Sequence, residues 1–416
     1  MSARGALRRP AFRRLLAGRA VDAFGNALAP IALAFAVLDL TGRAGDLGLV
    51  VGVRTLLNVL FLLFGGVLAD RLPKHLLMVG ANLAAALTQA VIAALVLTHT
   101  ATVPLLVGLA AVNGAVAAVA MPASAALLPR TVAEDERQPA IALNRLALSG
   151  AMILGAPLGG VLVASVGPGY GLAADAGTFV VSAVCFALIR LPGPAVPPGP
   201  ARAGVLRELR AGWTEFRAHT WLWVVVACAC VANLAWAGGM HVLAPALADT
   251  TIGRRAWGLV LAAQTAGMIV GGLVAMRLRP RRMLRYGAIT LLVLAGPLLV
   301  LGLTPRLIPL AVAAFLAGVA LEQFTVAWET SMQEHIPADR LARVYSYDMV
   351  GSFVAIPAGE IAAGPVADRF GLQPTLLAAA GVVVAAVLAM LSSSEVRTLR
   401  HRLRRTEPGT MEESVP

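Results

Sequence analysis

Apolar runs long enough to cross a lipid bilayer follow one another along the whole chain, and they leave little choice of fold. They fall at 14–40, 47–69, 75–99, 103–128, 138–165 and 170–190, then at 219–247, 256–277, 282–303, 306–331, 341–365 and 370–391. A crossing helix needs about 20 apolar residues. A lipid interior admits only helices or closed barrels, because every backbone N–H and C=O must find its partner inside the protein. Twelve runs of this length, six per half, therefore predict an all-α membrane protein. Only 13% of the residues are charged and 58% are hydrophobic, against about 25% charged in a soluble domain. The first run follows Arg4, Arg8, Arg9, Arg13 and Arg14. It is too long for a signal peptide and lacks an Ala-x-Ala end, so it is expected to be retained.

The halves repeat one another. Gly65-Gly66-Val67-Leu68-Ala69-Asp70-Arg71-Leu72 returns 206 residues later as Gly271-Gly272-Leu273-Val274-Ala275-Met276-Arg277-Leu278. Val132–Gly160 matches Ile336–Gly364 at an offset of 204, with Asp135/Asp339, Asn144/Asp348, Gly155/Gly359 and Gly160/Gly364 in register. Two matches at nearly one offset mark a duplicated unit of roughly 200 residues. At the 206 offset, Met276 is the counterpart of Asp70.

Orientation follows from the basic residues. With the N-terminus inside, the inner segments hold 26 of the 34 lysines and arginines, the outer loops hold 5, and Arg19, Arg54 and Arg145 lie within runs. This bias puts both termini in the cytoplasm. The expected organisation is a six-helix bundle over 1–190, a cytoplasmic linker over 191–218, a second bundle over 219–391 and a tail over 392–416. The linker begins as a stiff proline-rich spacer. It continues from Val205 to Phe216 as an amphipathic helix suited to an anionic membrane surface.

Several classes fall away. The formal charge of +12 sits in short clusters between apolar runs, not on a groove-reading face, so no nucleic-acid partner is expected. Cys185, Cys228 and Cys230 lie within apolar runs at poor metal spacing, so no metal is expected. There is no Gly-x-x-x-x-Gly-Lys-Ser/Thr, so ATP is not the driver. No nucleophile with its base stands in the short loops, and neither an enzyme nor a cofactor is expected.

The segment Gly66-x-x-x-Asp70-Arg71-x-x-Lys74 resembles the cytoplasmic loop signature of the major facilitator superfamily, between its second and third helices. Twelve spans in two parallel six-span repeats is that family's layout. This chain departs from the usual pattern at Pro73, where the signature usually has glycine, and at His75, where it usually has a second basic residue. The resemblance implies that Asp70 contacts the opposite half near the eleventh helix and stabilises the outward-facing state. In the fifth run, Gly150, Gly155, Pro157, Gly159 and Gly160 resemble the Gly-Pro-rich antiporter signature of the family's exporters, with the proline one place late. Glycines there permit close packing, and Pro157 is expected to bend the helix. Together with Phe12-Arg13-Arg14-Leu15, Gly18-Arg19 and the Pro129–Asn144 loop, the chain looks most like the branch of enterobactin-exporter-like and bacterial drug-efflux proteins.

Ionisable and polar residues inside the membrane are functional candidates because burying them in lipid is costly. Asp22, Arg54, Glu322, Asp348 and Glu360 are the charged ones. Asn26, Asn58, Asn113, Asn233 and Gln264 fall around mid-depth. Each can serve substrate or proton, or only fix helix packing. At about 1.5 Å per residue, Asp22 and Arg54 differ too much in depth to pair directly. Asp39 and Asp175 stand near the outer interface, where reaching toward the headgroups would explain them. His241 can carry a proton or serve as a packed, hydrogen-bonded residue. The six tryptophans read mainly as interface anchors, with Trp236 able to line a cavity.

The expected protein is a secondary transporter of the cell membrane, working as a monomer with lipid, protons and a small-molecule substrate as partners. Rocking halves would expose a mid-membrane, mostly apolar cavity to each side in turn. Efflux of a lipophilic or mildly polar drug, siderophore or secondary metabolite is favoured by the fifth-run motif. Uptake of a small metabolite, or a transport-dead sensor or scaffold of the same fold, fits the same pattern.

Overall fold

The structure, a computed structural model, describes residues 3–71, 74–133, 136–189, 213–278 and 280–400. Among the described residues there are twelve long apolar helices. In the first half they are α1 (Pro10–Thr41), α2 (Ala44–Arg71), α3 (Lys74–Leu97), α4 (Val103–Leu127), α5 (Arg137–Val166) and α6 (Pro168–Ala187). In the second they are α7 (Thr220–Thr250), α8 (Arg254–Ala275), α9 (Met283–Leu303) and α10 (Leu307–His335), then α11 (Ala338–Phe353 and Ile356–Phe370) and α12 (Leu372–Ser392). They alternate in direction between two ends of the molecule. The terminal end carries the start of α1, and the far end carries the α1–α2 turn. Glycines in the left-handed region make four far-end turns, at Gly42, Gly167, Gly253 and Gly371 with φ between 65° and 98°, a conformation that side chains with a Cβ resist. The linker helix expected at Val205–Phe216 lies largely outside the described residues, though 213–218 are helical. The tail beyond 400 and the pair Asp135/Asp339 lie outside them too, the latter as to side chains.

Three helices are interrupted where the sequence reading drew continuous ones. α7 widens into a π-helical turn at Gly238–Leu243, α9 tightens into a 3-10 turn at Leu291–Leu294, and α11 breaks between Phe353 and Ile356. One cause covers all three. Pro245, Pro297 and Pro357 lack the N–H that would bond to the carbonyl four residues earlier, at His241, Val293 and Phe353. The ladder reorganises at those carbonyls. Pro30, Pro157 and Pro365 sit inside helices that continue through them.

Packing repeats between halves. α1 lies on α5 and α6, α2 on α4, and α3 on α4 and α6; α7 lies on α11 and α12, α8 on α10, and α9 on α10 and α12. Close glycine approaches repeat likewise. Gly114 of α4 meets the Arg54 carbonyl of α2, and Gly318 of α10 meets the Gln264 carbonyl of α8. Arg54 and Gln264 are therefore counterparts, 210 residues apart. The glycine-pair similarity at 206 misplaces α8 by four residues, about one helical turn, so it keeps the face but shifts the depth. At the structural offset the counterpart of Asp70 is Pro280 and not Met276.

The halves meet through α5 on α8 and α2 on α11, and the close contacts lie at the far end. Gly160 abuts Gly258 and the Arg254 carbonyl; Gly364 abuts Gly45; Gly48 abuts the Glu360 carbonyl; Gly52 abuts Ile361. Small residues let helix backbones touch in lipid. Ion pairs reinforce the contact. Arg254 of α8 donates to Asp39 of α1 and, at 2.7 Å, to Asp249 at the end of α7, and its guanidinium lies 4.8 Å over the Phe35 ring. Arg43 lies 3.6 Å from Asp368. The far end is shut across both seams.

Candidate functional site

A cavity of about 430 Å³ sits in the first half, walled by α1 to α4 and α6 and touched by Leu148 of α5. Its apolar wall includes Met78, Val116, Phe179 and Phe186, and its polar wall is Arg19, Asp22, Asn26, Arg54, Asn58, Asn82 and Asn113. Two guanidinium groups, one carboxylate and four amides gather in a lining that is otherwise mostly apolar. The cause is helical spacing. Asp22 and Asn26 are one turn apart on α1, as are Arg54 and Asn58 on α2, so each pair shares a face.

The polar groups are fixed by neighbours. Arg54 Nε donates to Asn113 Oδ1 at 3.0 Å, and Asn113 Nδ2 donates to Thr88 Oγ1 at 3.2 Å. Asn58 Nδ2 donates to the Gly114 carbonyl at 3.1 Å. Asn26 Nδ2 donates to the Asp22 carbonyl at 2.9 Å, leaving both side chains turned to the cavity. Asp22 faces the charge of Arg19 one turn away on α1. Asp22 and Arg54 share the cavity without an ion pair between them, in keeping with their difference in depth.

A second group of charges lies in one layer beneath the closed far end. Arg54 is in electrostatic reach of Asp175 on α6 and of Glu360 on α11 across the seam. Asp175 is 1% exposed; its Oδ1 accepts from Thr178 at 3.4 Å, and its Oδ2 has no hydrogen bond. It does not reach to the headgroups as expected, because α6 packs on α1 and α3 and turns that face into the bundle. Asp39 does not snorkel either, being held by Arg254. Glu360 is also 1% exposed, and His241 Nδ1 lies 2.8 Å from its Oε1.

The other candidates are dispersed. Asn233 Nδ2 donates to the Ser352 carbonyl at 2.9 Å, joining α7 to α11. Asp348 accepts from Trp328 Nε1 at 3.1 Å and from Ser352 Oγ at 3.1 Å, toward the terminal end. Glu322 of α10 faces the charge of Arg145 on α5 and packs beside Gly271. Gln264 lines α8 where Arg54 lines α2. Trp221, Trp257 and Trp328 are buried, not interface anchors. Trp221 and Trp328 stack edge-on at 5.6 Å within an aromatic cluster that includes Phe324 and His335.

Of the fifth-helix motif, Gly155 and Gly159 meet Phe24, Ala27 and Leu28 of α1, Gly160 meets α8, and Pro157 stands against Gly258. Gly150 meets nothing, since it points to another face of the helix. The side chains of the loop signature, Gly66, Asp70, Arg71 and Lys74, lie outside the described residues. Sequence reasoning missed Arg19, Asn82 and Gln89. The spacing of seven between Asn82 and Gln89, two helical turns, was the available signal.

The family model of the Major Facilitator Superfamily matches residues 15–360. The Enterobactin exporter EntS of Salmonella paratyphi A is 28% identical over 96% of this chain and 95% of its own length. The Multidrug efflux pump Tap of Mycolicibacterium fortuitum is 26% identical over 85% of this chain and 88% of its own. Among solved structures, a bacterial homolog of the human lysosomal transporter Spinster, inward-facing and unoccupied, shares the fold with a TM-score of 0.73 at 15% identity, covering 94% of this chain and 98% of that one.

Proposed function

The chain belongs to the major facilitator superfamily, a family of membrane transporters, and on that premise we propose that it exports a small compound from the bacterial cytoplasm in exchange for protons. Exporters similar along almost their whole length support the direction. The observation that carries a solute path is the intramembrane cavity with Arg19, Asp22, Asn26, Arg54, Asn58 and Asn113 on one wall and aromatic and aliphatic groups on the other. Such a lining suits a compound with an apolar body and polar or acidic groups at its edge, in the range of drugs, siderophores and secondary metabolites.

In this reading the terminal end is cytoplasmic, as the distribution of arginines favours. Both termini then lie on the cytoplasmic side of the inner membrane, and the shut far end is the outer gate. Bundles over 1–190 and 219–391, joined by the 191–218 linker and followed by the 392–416 tail, rock about the seams as a monomer. The loop signature and the fifth-helix glycines govern that motion, and a buried carboxylate carries the proton. Among the remaining polar groups, Asn233, Gln264, Glu322 and Asp348 line or brace the second half. One proton moving inward down ~100 mV yields about 2.3 kcal/mol, enough to hold a gradient of roughly 50-fold.

The test is accumulation in a strain stripped of its own exporters. Ethidium serves as the lipophilic probe beside a panel of acidic, oxygen-rich toxins. Expression of the chain should lower accumulation several-fold for at least one compound, and a protonophore should abolish the difference. Raised accumulation on expression overturns export, and efflux indifferent to the protonophore overturns proton exchange.

A further inference from the structure

Glu360 is a sealed carboxylate with one oxygen held and one alone. It is 1% exposed; Oε1 meets His241 Nδ1 at 2.8 Å, and Oε2 has no hydrogen bond. A buried polar atom without a partner costs stability, so a lone carboxylate oxygen marks a place kept for something. His241 stands on the π-helical turn of α7, a distortion found often at functional sites, and its side chain is 50% exposed. The pair thus joins an enclosed carboxylate to an accessible imidazole. Across the seam, Gly48 of α2 lies on the Glu360 backbone, and the charge of Arg54 reaches the carboxylate.

We propose that the His241–Glu360 pair is the proton-binding site that couples proton entry to opening of the far end, with Arg54 as the competing charge. This rests on the export reading above. A proton fits better than a sodium ion. Hard metal cations gather six or more oxygens, whereas here one carboxylate and one imidazole converge, and no group of three or more His, Cys, Asp or Glu stands together among the described residues. The surroundings leave few other titrating groups. α2 brings Arg54 and, in its first turn, Asp46; α7 brings His241 and, at its end, Asp249; α11 itself carries Asp348, Asp368 and Arg369, with Asp339, Arg340 and Arg343 at its opposite start; α6 acts through Asp175 beside Arg54; α12 carries no ionisable residue.

The coupling is a competition. With the seam closed, Arg54 serves as the opposite charge for Glu360. Parting α2 from α11 withdraws the charge of Arg54, and a proton from the outer water settles on the unpartnered Oε2. Closing the seam returns Arg54 and expels the proton: the carboxyl passes it to Nδ1 of a His241 ring protonated at Nε2, the imidazolium gives up its Nε2 proton to water, and the ring left protonated at Nδ1 returns to the Nε2–H tautomer by proton exchange with water before the next cycle. Each opening and closing moves one proton inward. Binding of the proton and opening of the far end then reinforce one another by the same factor.

The experiment reads far-end distance without any substrate. Cys185, Cys228 and Cys230 are replaced by alanine, and spin labels are placed at Tyr170→Cys and Leu303→Cys, exposed positions on opposite halves. The full chain is measured in lipid nanodiscs from pH 5 to pH 8, with sodium or potassium as the salt. The wild type should shift to longer distances as pH falls, equally in both salts. Glu360→Gln should hold one pH-independent distribution weighted to the open form, and Glu360→Asp should keep a pH response with a displaced midpoint. His241→Gln should keep the distance response but slow proton-driven export of the probe about tenfold. A Glu360→Gln variant that responds like the wild type, a wild type indifferent to pH, or a shift that follows sodium would each overturn the assignment. Proton-driven export that survives Glu360→Gln leaves the export reading standing and removes this site, whereas an intact pH response without export of any compound removes the export reading alone.

Discussion

Arg54 joins the two charge groups, one side chain serving both the cavity and the layer beneath the far end. It braces Asn113 and is the positive charge facing the buried Asp175. Removing it leaves the enclosed Asp175 without its nearby opposite charge; the two are not in ion-pair contact, so the loss falls below the roughly 3–5 kcal/mol of a broken buried pair. Arg54→Gln should therefore lower the unfolding temperature of the detergent-solubilised protein and abolish export. Arg54→Gln with Asp175→Asn should recover most of the temperature and none of the export. Recovery of both would make Arg54 a packing residue. Arg54 and Asp22 were legible in the sequence because a charge in an apolar run has few benign explanations. Asp175 was not, because its position in the run looks interfacial and only the packing of α6 on α1 and α3 encloses it. His241 and Glu360 are 119 residues apart, and no local pattern joins them.

At the scale of helices, the seams are built from glycines facing glycines. A Cβ on Gly160 would lie 2.8 Å from the Arg254 carbonyl and 3.1 Å from the Gly258 Cα, and one on Gly364 would collide with Gly45. Overpacking of this kind costs about 1–3 kcal/mol, and parting the far end relieves it. Gly160→Val and Gly364→Val should each raise the labelling rate of a cysteine put in place of Ile361, which faces Gly52 across the seam, by roughly 5- to 100-fold, while Gly150→Val should leave it unchanged. Equal effects at all three positions would sink this account of the seam. Helix number and the fifth-helix glycines could be read from run length and spacing. The interruptions at Gly238–Leu243, Leu291–Leu294 and Phe353–Ile356 could not, because hydropathy is blind to a missing N–H, although Pro245, Pro297 and Pro357 were in plain view. The slip of four residues in α8 has a similar origin: similar residues one turn apart show the same face at a different depth.

For the molecule as a whole, closure rests on Arg254, which ties α8 to α1 through Asp39 while holding Asp249 of its own half. The Asp39 bond crosses between halves and the Asp249 bond does not, so the two substitutions separate gate strength from local order. Partly exposed ion pairs contribute about 0.2–1 kcal/mol. Asp39→Asn should raise the open fraction by up to about fivefold in the spin-label measurement, and high salt should reproduce the effect in the wild type. Asp249→Asn should change it less. An Asp39→Asn variant with wild-type distances would show that the glycine seams close the far end unaided.

The polar cavity belongs almost wholly to one six-helix unit, while the seams and the Asp39–Arg254 clasp need both. On the proposed reading, cargo preference and gate mechanics are inherited almost separately, with Arg54 the side chain they share. Substitutions elsewhere on the inner faces of α1 to α4 would retune what is carried while leaving the seams in place, so lineages built on one hinge would diversify in their cargo.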